Sequence, residues 1–139
     1  MNKLVAEVTL QIQFYDLDPM DVVWHGRYVN YLEVARCALL DQIDYNYLQM
    51  KASGYIWPIV DLHLRYIAPV KFGEHIKIRA TLVEWENRLK IDYLITDANT
   101  GKRLTRASTT QVAINIATQE MCFVSPAILL EKVGNEASL

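Results

Sequence analysis

Apolar and polar residues alternate along several segments of the chain, and this period of two predicts β-strands. The first such segment covers residues 3–13, and four more come later, at residues 55–66, 74–85, 89–95 and 102–117. The segments Glu86-Asn87 and Asn99-Thr100-Gly101 separate the last three strands and are typical of tight turns between paired strands. The pattern therefore predicts one strand at the start of the chain and, later, four strands in an antiparallel meander.

Between residues 26 and 43 the apolar period lengthens to that of an α-helix, with apolar side chains at Tyr28, Tyr31, Leu32, Ala35 and Leu39. Residues next to these on the helix surface are apolar too, so more than half of that surface is expected to be buried. One curved antiparallel sheet of about five strands wrapped around a long buried helix is the simplest arrangement. Residues 1–139 are therefore expected to form a single α+β domain. A short helical turn is predicted at residues 44–53, and a frayed tail with one turn at residues 127–132.

Composition narrows the class of protein. The net charge of −2 comes with no basic cluster, which argues against a nucleic-acid-binding protein. Apolar residues make up 52% of the chain and the mean hydropathy is +0.05, which predicts either a buried oligomer interface or an apolar pocket. No segment has the length and apolarity of a membrane span or a signal peptide. Cys37 and Cys122 form no disulfide framework, so a cytoplasmic location is expected.

The segment from Phe14 to Tyr28 brings two kinds of reactive group together at the start of the predicted helix. Asp18 lies in a loop rich in acids, and His25 and Gly26 lie where the helix begins. The first backbone N–H groups of a helix have no partner within it and stabilise negative charge on a carbonyl oxygen. A carboxylate beside them can attack a thioester carbonyl or activate a water that does so. This pair would suffice to hydrolyse a thioester without a serine or cysteine nucleophile.

Structural explanations compete with each catalytic one. Asp18 precedes Pro19 and could form an Asx turn, and Asp16 is more simply a strand-end acid. His25 could pack at the start of the helix. Tyr28 and Tyr31 have the spacing of core residues, Glu33 and Arg36 could pair with each other, and Cys37 fits a small core residue. Asp16, Asp18, Asp21 and His25 could also be metal ligands, but their spacing does not match that of a calcium-binding loop. No metal is therefore expected.

The loop and helix together resemble the 4-hydroxybenzoyl-CoA thioesterase family of hotdog-fold proteins, including its Tol-Pal-associated bacterial branch. The shared pattern is Asp16-x-Asp18, Val22-Val23-Trp24, His25-Gly26-Arg27-Tyr28, Tyr31 and Glu33-Val34-Ala35-Arg36. A second, weaker match follows in Leu64-Arg65-Tyr66 and Pro69-Val70-Lys71-Phe72-Gly73-Glu74. The resemblance covers residues 8–117. It implies a hotdog fold and the hydrolysis of an acyl-CoA or acyl-carrier-protein thioester, with no cofactor.

The resemblance also implies roles for particular residues. Asp18 matches the catalytic carboxylate, the backbone N–H near His25 matches the group that polarises the thioester carbonyl, and the His25 side chain orients substrate. Residues expected to contact the substrate are Tyr15, Trp24, Gly26 and Tyr28, with Trp57 a further aromatic candidate for an apolar pocket. Active sites of this family form between subunits, which implies a homodimer or a homotetramer.

Asp21 departs from the family, which usually has a glycine before the Val-Val run. The departure is compatible with a non-catalytic protein that binds acyl thioesters on the same fold, and with an acyl specificity that differs from the family's. A hotdog dehydratase is the other alternative, although such enzymes pair a histidine with a carboxylate on the helix. Candidates for contacting CoA phosphates are the basic residues Arg65, Lys71, Arg88, Lys90, Arg103 and Arg106, most of which are expected to be ordinary solvated side chains.

Overall fold

Residues 4–137 are described by a computed structural model, in which one strand is followed by two helices, six strands and a last helix. The strands are β1 (Val5–Gln11), β2 (Tyr55–Ile56), β3 (Ile59–Tyr66), β4 (His75–Glu84), β5 (Leu89–Asp97), β6 (Arg103–Gln111) and β7 (Ile114–Asn115). The helices are α1 (Tyr28–Gln42), α2 (Tyr47–Ala52) and α3 (Ala127–Ala137). Two 3-10 turns, Phe14–Asp16 and His25–Arg27, lie in the loop between β1 and α1.

The main sheet has five antiparallel strands in the order β1-β4-β5-β6-β3. Strands β4, β5 and β6 follow one another as hairpins, whereas β3 lies at the far edge beside β6. The predicted four-strand meander is therefore wrong for β3. The connection between Tyr66 and His75 is too long for a tight hairpin, and it carries the chain from the β3 edge of the sheet to β4, which lies next to the other edge strand.

One face of this sheet and one side of α1 make the core. Alternate residues of β4 and β5, such as Ile78 and Ile91, are almost fully buried together with Leu32, Ala35 and Leu39 of the helix. The fold is thus the hotdog arrangement expected from the sequence. The helix is less enclosed than predicted, because Val29 and Val34 remain 39% and 43% exposed on the side that the sheet does not cover.

Three predicted segments differ in detail from the structure. Residues 55–66 divide into β2 and β3 at Pro58, which has no N–H to donate to a ladder. Residues 102–117 divide into β6 and β7, and β7 pairs with β2 in a separate small sheet. The tail is not frayed as predicted but forms α3, because Leu129 and Val133 are buried in the core. Lys3, the predicted start of the first strand, lies outside the described residues.

Candidate active site

A short loop between β1 and α1 carries Asp18 and has a fixed backbone. Leu17 and Val23 form an antiparallel bridge, and the Asp18 N–H donates to the Val22 carbonyl at 2.8 Å. The Asp21 N–H donates back to the Asp18 carbonyl at 3.0 Å, and Asp21 has a φ of 64°. Glycine adopts this left-handed conformation freely, and aspartate is among the few other residues that tolerate it. The turn itself therefore accounts for a residue such as glycine or aspartate at this position.

The Asp18 carboxylate has one committed oxygen. Oδ1 accepts a hydrogen bond from the Met20 N–H at 2.8 Å, which is the Asx turn expected ahead of Pro19. Within residues 4–137, Oδ2 accepts no hydrogen bond, and the side chain is only half-buried. The turn therefore orients the carboxylate and leaves its second oxygen available for a substrate or a water.

The start of α1 presents free backbone donors close to this loop. Trp24, at the N-cap of the His25–Arg27 turn, makes no side-chain capping bond, and the first amides of a helix have no partner within it. Among the hydrogen bonds of the described chain, the His25 and Gly26 amides donate to no carbonyl. The His25 carbonyl is instead engaged, because it accepts a 2.5 Å hydrogen bond from the Tyr66 hydroxyl. This bond ties the beginning of α1 to the end of β3.

A cavity of about 300 Å³ joins the loop, the helix start and the end of β3. Its lining is Asp18, Met20, Val22, Val23, His25, Tyr28, Tyr66, Ile67, Ala68 and Pro69. Apart from Asp18 and His25, the lining is aromatic or aliphatic. A single carboxylate and a helix N-terminus thus meet in apolar surroundings, where a dipole acts on a reacting carbonyl more strongly than it would in water.

Two tyrosines form the aromatic side of the cavity. The rings of Tyr28 and Tyr66 meet edge to face with centroids 5.1 Å apart, and Tyr31 meets Tyr28 in the same way at 5.8 Å. Burial raises the pKa of both Tyr28 and Tyr66 above the ordinary tyrosine value. Both phenols therefore stay protonated at neutral pH, so that the Tyr66 hydroxyl remains a donor to His25.

The packing of Trp24 favours glycine at residue 26. The indole ring of Trp24 lies against the Gly26 Cα so closely that a Cβ on residue 26 would overlap the ring. The Trp24 and His25 rings are also near each other, with centroids 5.2 Å apart. Trp24 is half exposed, and its position over Gly26 places an aromatic surface beside the free amides of the helix start.

Asp16 serves the loop rather than the cavity. Its carboxylate is buried, accepts from the Gln13 N–H at 2.8 Å and forms a 3.0 Å ion pair with Arg27. Its carbonyl accepts from the Trp24 N–H at 2.9 Å, so Asp16 joins the two sides of the loop. Arg27 in turn lies over the exposed ring of Tyr15, 5.5 Å from the ring centroid.

The structure separates the residues singled out in the sequence into three groups. Asp18, His25 and Tyr28 line the cavity together. Trp24 and Gly26 form the adjoining start of the helix, and Tyr15 lies outside the cavity with 73% of its surface exposed. Trp57 is buried in another part of the core, where its indole N–H donates to the Tyr45 hydroxyl at 3.2 Å. The prediction that Trp57 contributes to this pocket is wrong, because Trp57 is buried in the core against Tyr45 and does not line the cavity.

Sequence reasoning missed the contribution of β3 and the connection after it. Tyr66 and Pro69 belong to the second, weaker motif, which could have identified them, whereas Ile67 and Ala68 carry no distinctive signal. On α1, Arg36 is buried and bonds both Glu33, at 3.6 Å, and the Tyr47 hydroxyl, at 2.5 Å. The pairing expected for Glu33 and Arg36 is therefore present, and Arg36 is buried as well.

The acids of the loop do not converge as metal ligands do. Asp16 is directed at Arg27 and Asp18 at its own turn, and within residues 4–137 no three His, Cys, Asp or Glu side chains gather in one place. In the same part of the chain, no helix is both long and apolar enough to cross a membrane.

Comparison with known proteins assigns the chain to a family. Residues 12–131 match the Thioesterase-like superfamily, and the chain belongs to it. One relative is the proposed acyl-CoA thioesterase YneP of Bacillus subtilis, which is 29% identical over 89 residues, 64% of each chain. Another is the chloroplastic acyl-acyl carrier protein thioesterase ATL3 of Arabidopsis thaliana, 29% identical over 55% of this chain and 40% of that protein. The matched segments thus span less than two thirds of either relative.

The solved structures agree on the fold. Slr0204, a 1,4-dihydroxy-2-naphthoyl-CoA thioesterase from Synechocystis, superimposes with a TM-score of 0.83 over 94% of this chain and 96% of its own. The sequence identity is 20%, so this likeness concerns the hotdog fold. The hotdog fold expected from the sequence is confirmed, and the superfamily match agrees with the expected family at this coarser level.

Proposed function

We propose that this protein hydrolyses an acyl thioester, with Asp18 as its catalytic carboxylate. The observation that carries the proposal is the cavity that Asp18 and His25 line together, with one Asp18 oxygen free of hydrogen bonds and the unpartnered amides of His25 and Gly26 at the adjoining helix start. Membership of the Thioesterase-like superfamily supports the same reaction. Within the superfamily, the loop motif favours a position beside the 4-hydroxybenzoyl-CoA thioesterase branch.

In the proposed reaction, the amides of the helix start bind the thioester oxygen as negative charge develops on it. Asp18 either takes a proton from a water that attacks the carbonyl carbon or attacks that carbon itself to form an anhydride, which water then opens. In both routes the C–S bond breaks, the thiolate leaves and is protonated, and the products are a carboxylic acid and a free thiol. Binding of the carbonyl oxygen is common to both routes.

The substrate is proposed to be an acyl-CoA or an acyl-carrier-protein thioester, the two carriers that the names of the relatives mention. The Tyr28 and Tyr66 rings and the aliphatic lining suit an apolar acyl group, and the cavity of about 300 Å³ is at the small end for ligand pockets. Trp24 and His25 would border the thioester. A dehydratase receives no support, because Glu33, on the exposed side of α1, is paired with Arg36.

A homodimer is part of the proposal, because β3 is an uncovered edge strand. All but one of its residues are exposed, among them Ile59, Val60 and Leu62 at 40%, 55% and 40%. Such an edge has unpaired backbone groups that pair readily with another strand. Pairing β3 with β3 of a second copy would bring partner residues beside Tyr66 and close the cavity. A tetramer would require a further interface.

Cys37 and Cys122 are free thiols, which agrees with a proposed cytoplasmic location.

The decisive experiment compares two substitutions of Asp18 on a panel of aliphatic and aromatic acyl-CoAs, with release of thiol as the readout. Asp18→Asn keeps an oxygen for the Met20 N–H and so preserves the turn, but removes the charge. We expect it to lower kcat/KM by about a hundredfold or more, with an unchanged Tm. Asp18→Ala should lose the turn as well. Asp21→Asn, which retains a residue tolerant of positive φ, is the matched control and should keep its activity.

Two outcomes would contradict the proposal. If Asp18→Asn hydrolyses as fast as the wild type while Asp18→Ala does not, Asp18 serves only the Asx turn. If the wild type binds acyl thioesters but hydrolyses none of them, on CoA or on a carrier protein, the protein is the non-catalytic binding protein that the same fold permits.

A further inference from the structure

The face of the sheet turned away from α1 has an unusual row of arginines. Arg65 on β3 lies directly opposite Arg106 on β6. Leu94 on β5 lies opposite both Arg106 and Arg79, so these residues form one line across four strands. Arg103 lies near the end of the same face. We name these four exposed arginines the arginine patch: Arg65, Arg79, Arg103 and Arg106.

Within the described chain, none of the four arginines forms an ion pair, since the salt bridges involve other residues. Two carboxylates lie near the four arginines: Glu7, opposite Arg79, and Asp92, on β5 beside Arg106. Because the four arginines outnumber these two carboxylates, the patch retains an excess of positive charge. Like charges directly opposite each other on paired strands destabilise a sheet. An arrangement that costs stability in the free protein would be relieved by a negatively charged partner.

The shape of the patch favours a protein surface over a small anion. Its arginines border two shallow hollows of about 230 and 170 Å³, which share Asp92 and Arg106. Four neighbouring strands span about 14 Å at the usual spacing of about 4.8 Å, a little more than the width of an α-helix. A second copy of this chain is disfavoured as the occupant, because two arginine patches would repel each other.

The patch borders the candidate active site at the end of β3. Arg65 is followed by Tyr66, which lines the cavity, and Arg103 is followed by Leu104. The Leu104 carbonyl accepts hydrogen bonds from the Ile67 and Ala68 amides, at 2.9 and 3.1 Å, and both of those residues line the cavity. A partner seated on the patch would therefore stand beside residues that line the cavity.

We infer that the arginine patch docks an acidic carrier protein that presents its acyl group on a phosphopantetheine arm. The inference rests on the proposed function and chooses between its two carriers. Complementary charge chiefly accelerates encounter and fixes orientation, and it weakens as salt screens it. The patch would thus act on binding of the carrier and leave the chemical step at Asp18 unchanged.

The test uses the double variant Arg65→Glu/Arg106→Glu and two substrates with the same acyl group, dodecanoyl-acyl carrier protein and dodecanoyl-CoA. The control Lys51→Glu/Lys132→Glu makes the same change in net charge away from the patch. For the patch variant we expect KM for the carrier-protein substrate to rise at least tenfold, with kcat within twofold and with unchanged kinetics on CoA. The control should match the wild type on both substrates.

A KM that rises equally for both substrates would overturn the inference in favour of an anion site for CoA phosphates, and unchanged kinetics on both would overturn it outright. If the patch variant does not fold, Arg79→Glu/Arg103→Glu replaces it. If the wild type hydrolyses neither substrate, the proposed function fails separately. Docking is then measured as the Kd of fluorescent holo-carrier protein, for which equal binding to wild type and patch variant would refute the inference.

Discussion

Asp16 and Asp18 lie two residues apart on one loop, yet the structure gives them opposite environments. Asp16 is buried, ion-paired with Arg27 and bonded to the Gln13 amide. Asp18 is half exposed and keeps one oxygen free at the edge of an apolar cavity. A carboxylate whose oxygens are all engaged stabilises a loop, whereas one with a free oxygen facing a cavity can take part in chemistry. The comparison teaches that the partners of an acid, more than its place in a motif, indicate its role.

Removing the structural acid gives the largest expected loss of stability. Asp16→Ala would leave the Gln13 amide and Arg27 without their partner. Loss of one member of a buried pair commonly costs about 3–5 kcal/mol, but Arg27 is 31% exposed and water can reach it. We therefore expect the free energy of unfolding to fall by about 2 kcal/mol, measured by urea denaturation.

Asp18→Asn is the matched variant for this comparison, since it should leave the free energy of unfolding within about 0.5 kcal/mol of the wild type. Asp16→Asn, which retains an acceptor for Gln13, should fall between the wild type and Asp16→Ala. A stable Asp16→Ala protein with no activity would reverse the two roles.

The next prediction concerns the helix start that faces Asp18. Gly26→Ala would push the Trp24 indole from its place, and overpacking costs typically about 1–3 kcal/mol. Because Trp24 is half exposed and can turn away, we expect the free energy of unfolding to fall by about 1 kcal/mol and kcat/KM to fall as well. In a Trp24→Ala background the same substitution should have almost no effect. A double-mutant cycle of unfolding free energies measures this coupling, and strictly additive effects would show that the indole does not impose the glycine.

Much of this arrangement could be predicted from the sequence, because local patterns determine it. Alternation identified the core strands, helical spacing identified α1, and the motif around Asp18 identified the loop and helix start. The placement of β3 could not be predicted, because strand pairing across a long connection depends on tertiary packing. For the same reason the sequence missed Ile67 and Ala68, which reach the cavity only because β3 lies at the edge of the sheet beside β6.

A side chain that was not among the predicted site residues supplies a smaller, more specific effect. Tyr66→Phe removes the hydroxyl that binds the His25 carbonyl, while it keeps the ring against Tyr28. A hydrogen bond of this kind contributes about 0.5–1.5 kcal/mol, so we expect kcat to fall by about two- to tenfold. Because burial raises the pKa of Tyr66 above the ordinary tyrosine value, the hydroxyl stays a donor at neutral pH. The ratio of the wild-type rate to the Tyr66→Phe rate should therefore be constant between about pH 6 and 9. A ratio that varied over this range would mean that another group titrates with Tyr66.

The smallest expected effect comes from a third aspartate, which forms the same kind of turn as Asp18 far from the cavity. Asp97 Oδ1 accepts hydrogen bonds from the Asn99 and Thr100 amides, at 2.8 and 2.9 Å. The Thr100 amide, followed by the Asn99 amide, lowers the pKa of this carboxyl below its ordinary value. Asp97→Asn keeps an acceptor for the turn and removes only the charge, so we expect a slight decrease in Tm at pH 7 and no change in kcat/KM.

The pH dependence of that decrease follows from the sign of the shift. Because the folded pKa of Asp97 is the lower one, the charged form stabilises the fold above the unfolded pKa of about 3.9. This contribution is lost as the pH falls through the folded value, so the Tm curves of wild type and Asp97→Asn should converge in acid. A gap that widened in acid would show that the charge opposes folding. Since Asp97 and Asp18 both hold Asx turns, a similarly small change in Tm in Asp97→Asn and Asp18→Asn would show that asparagine keeps such a turn, and a large loss of activity in Asp18→Asn would then be due to the lost charge rather than to its turn.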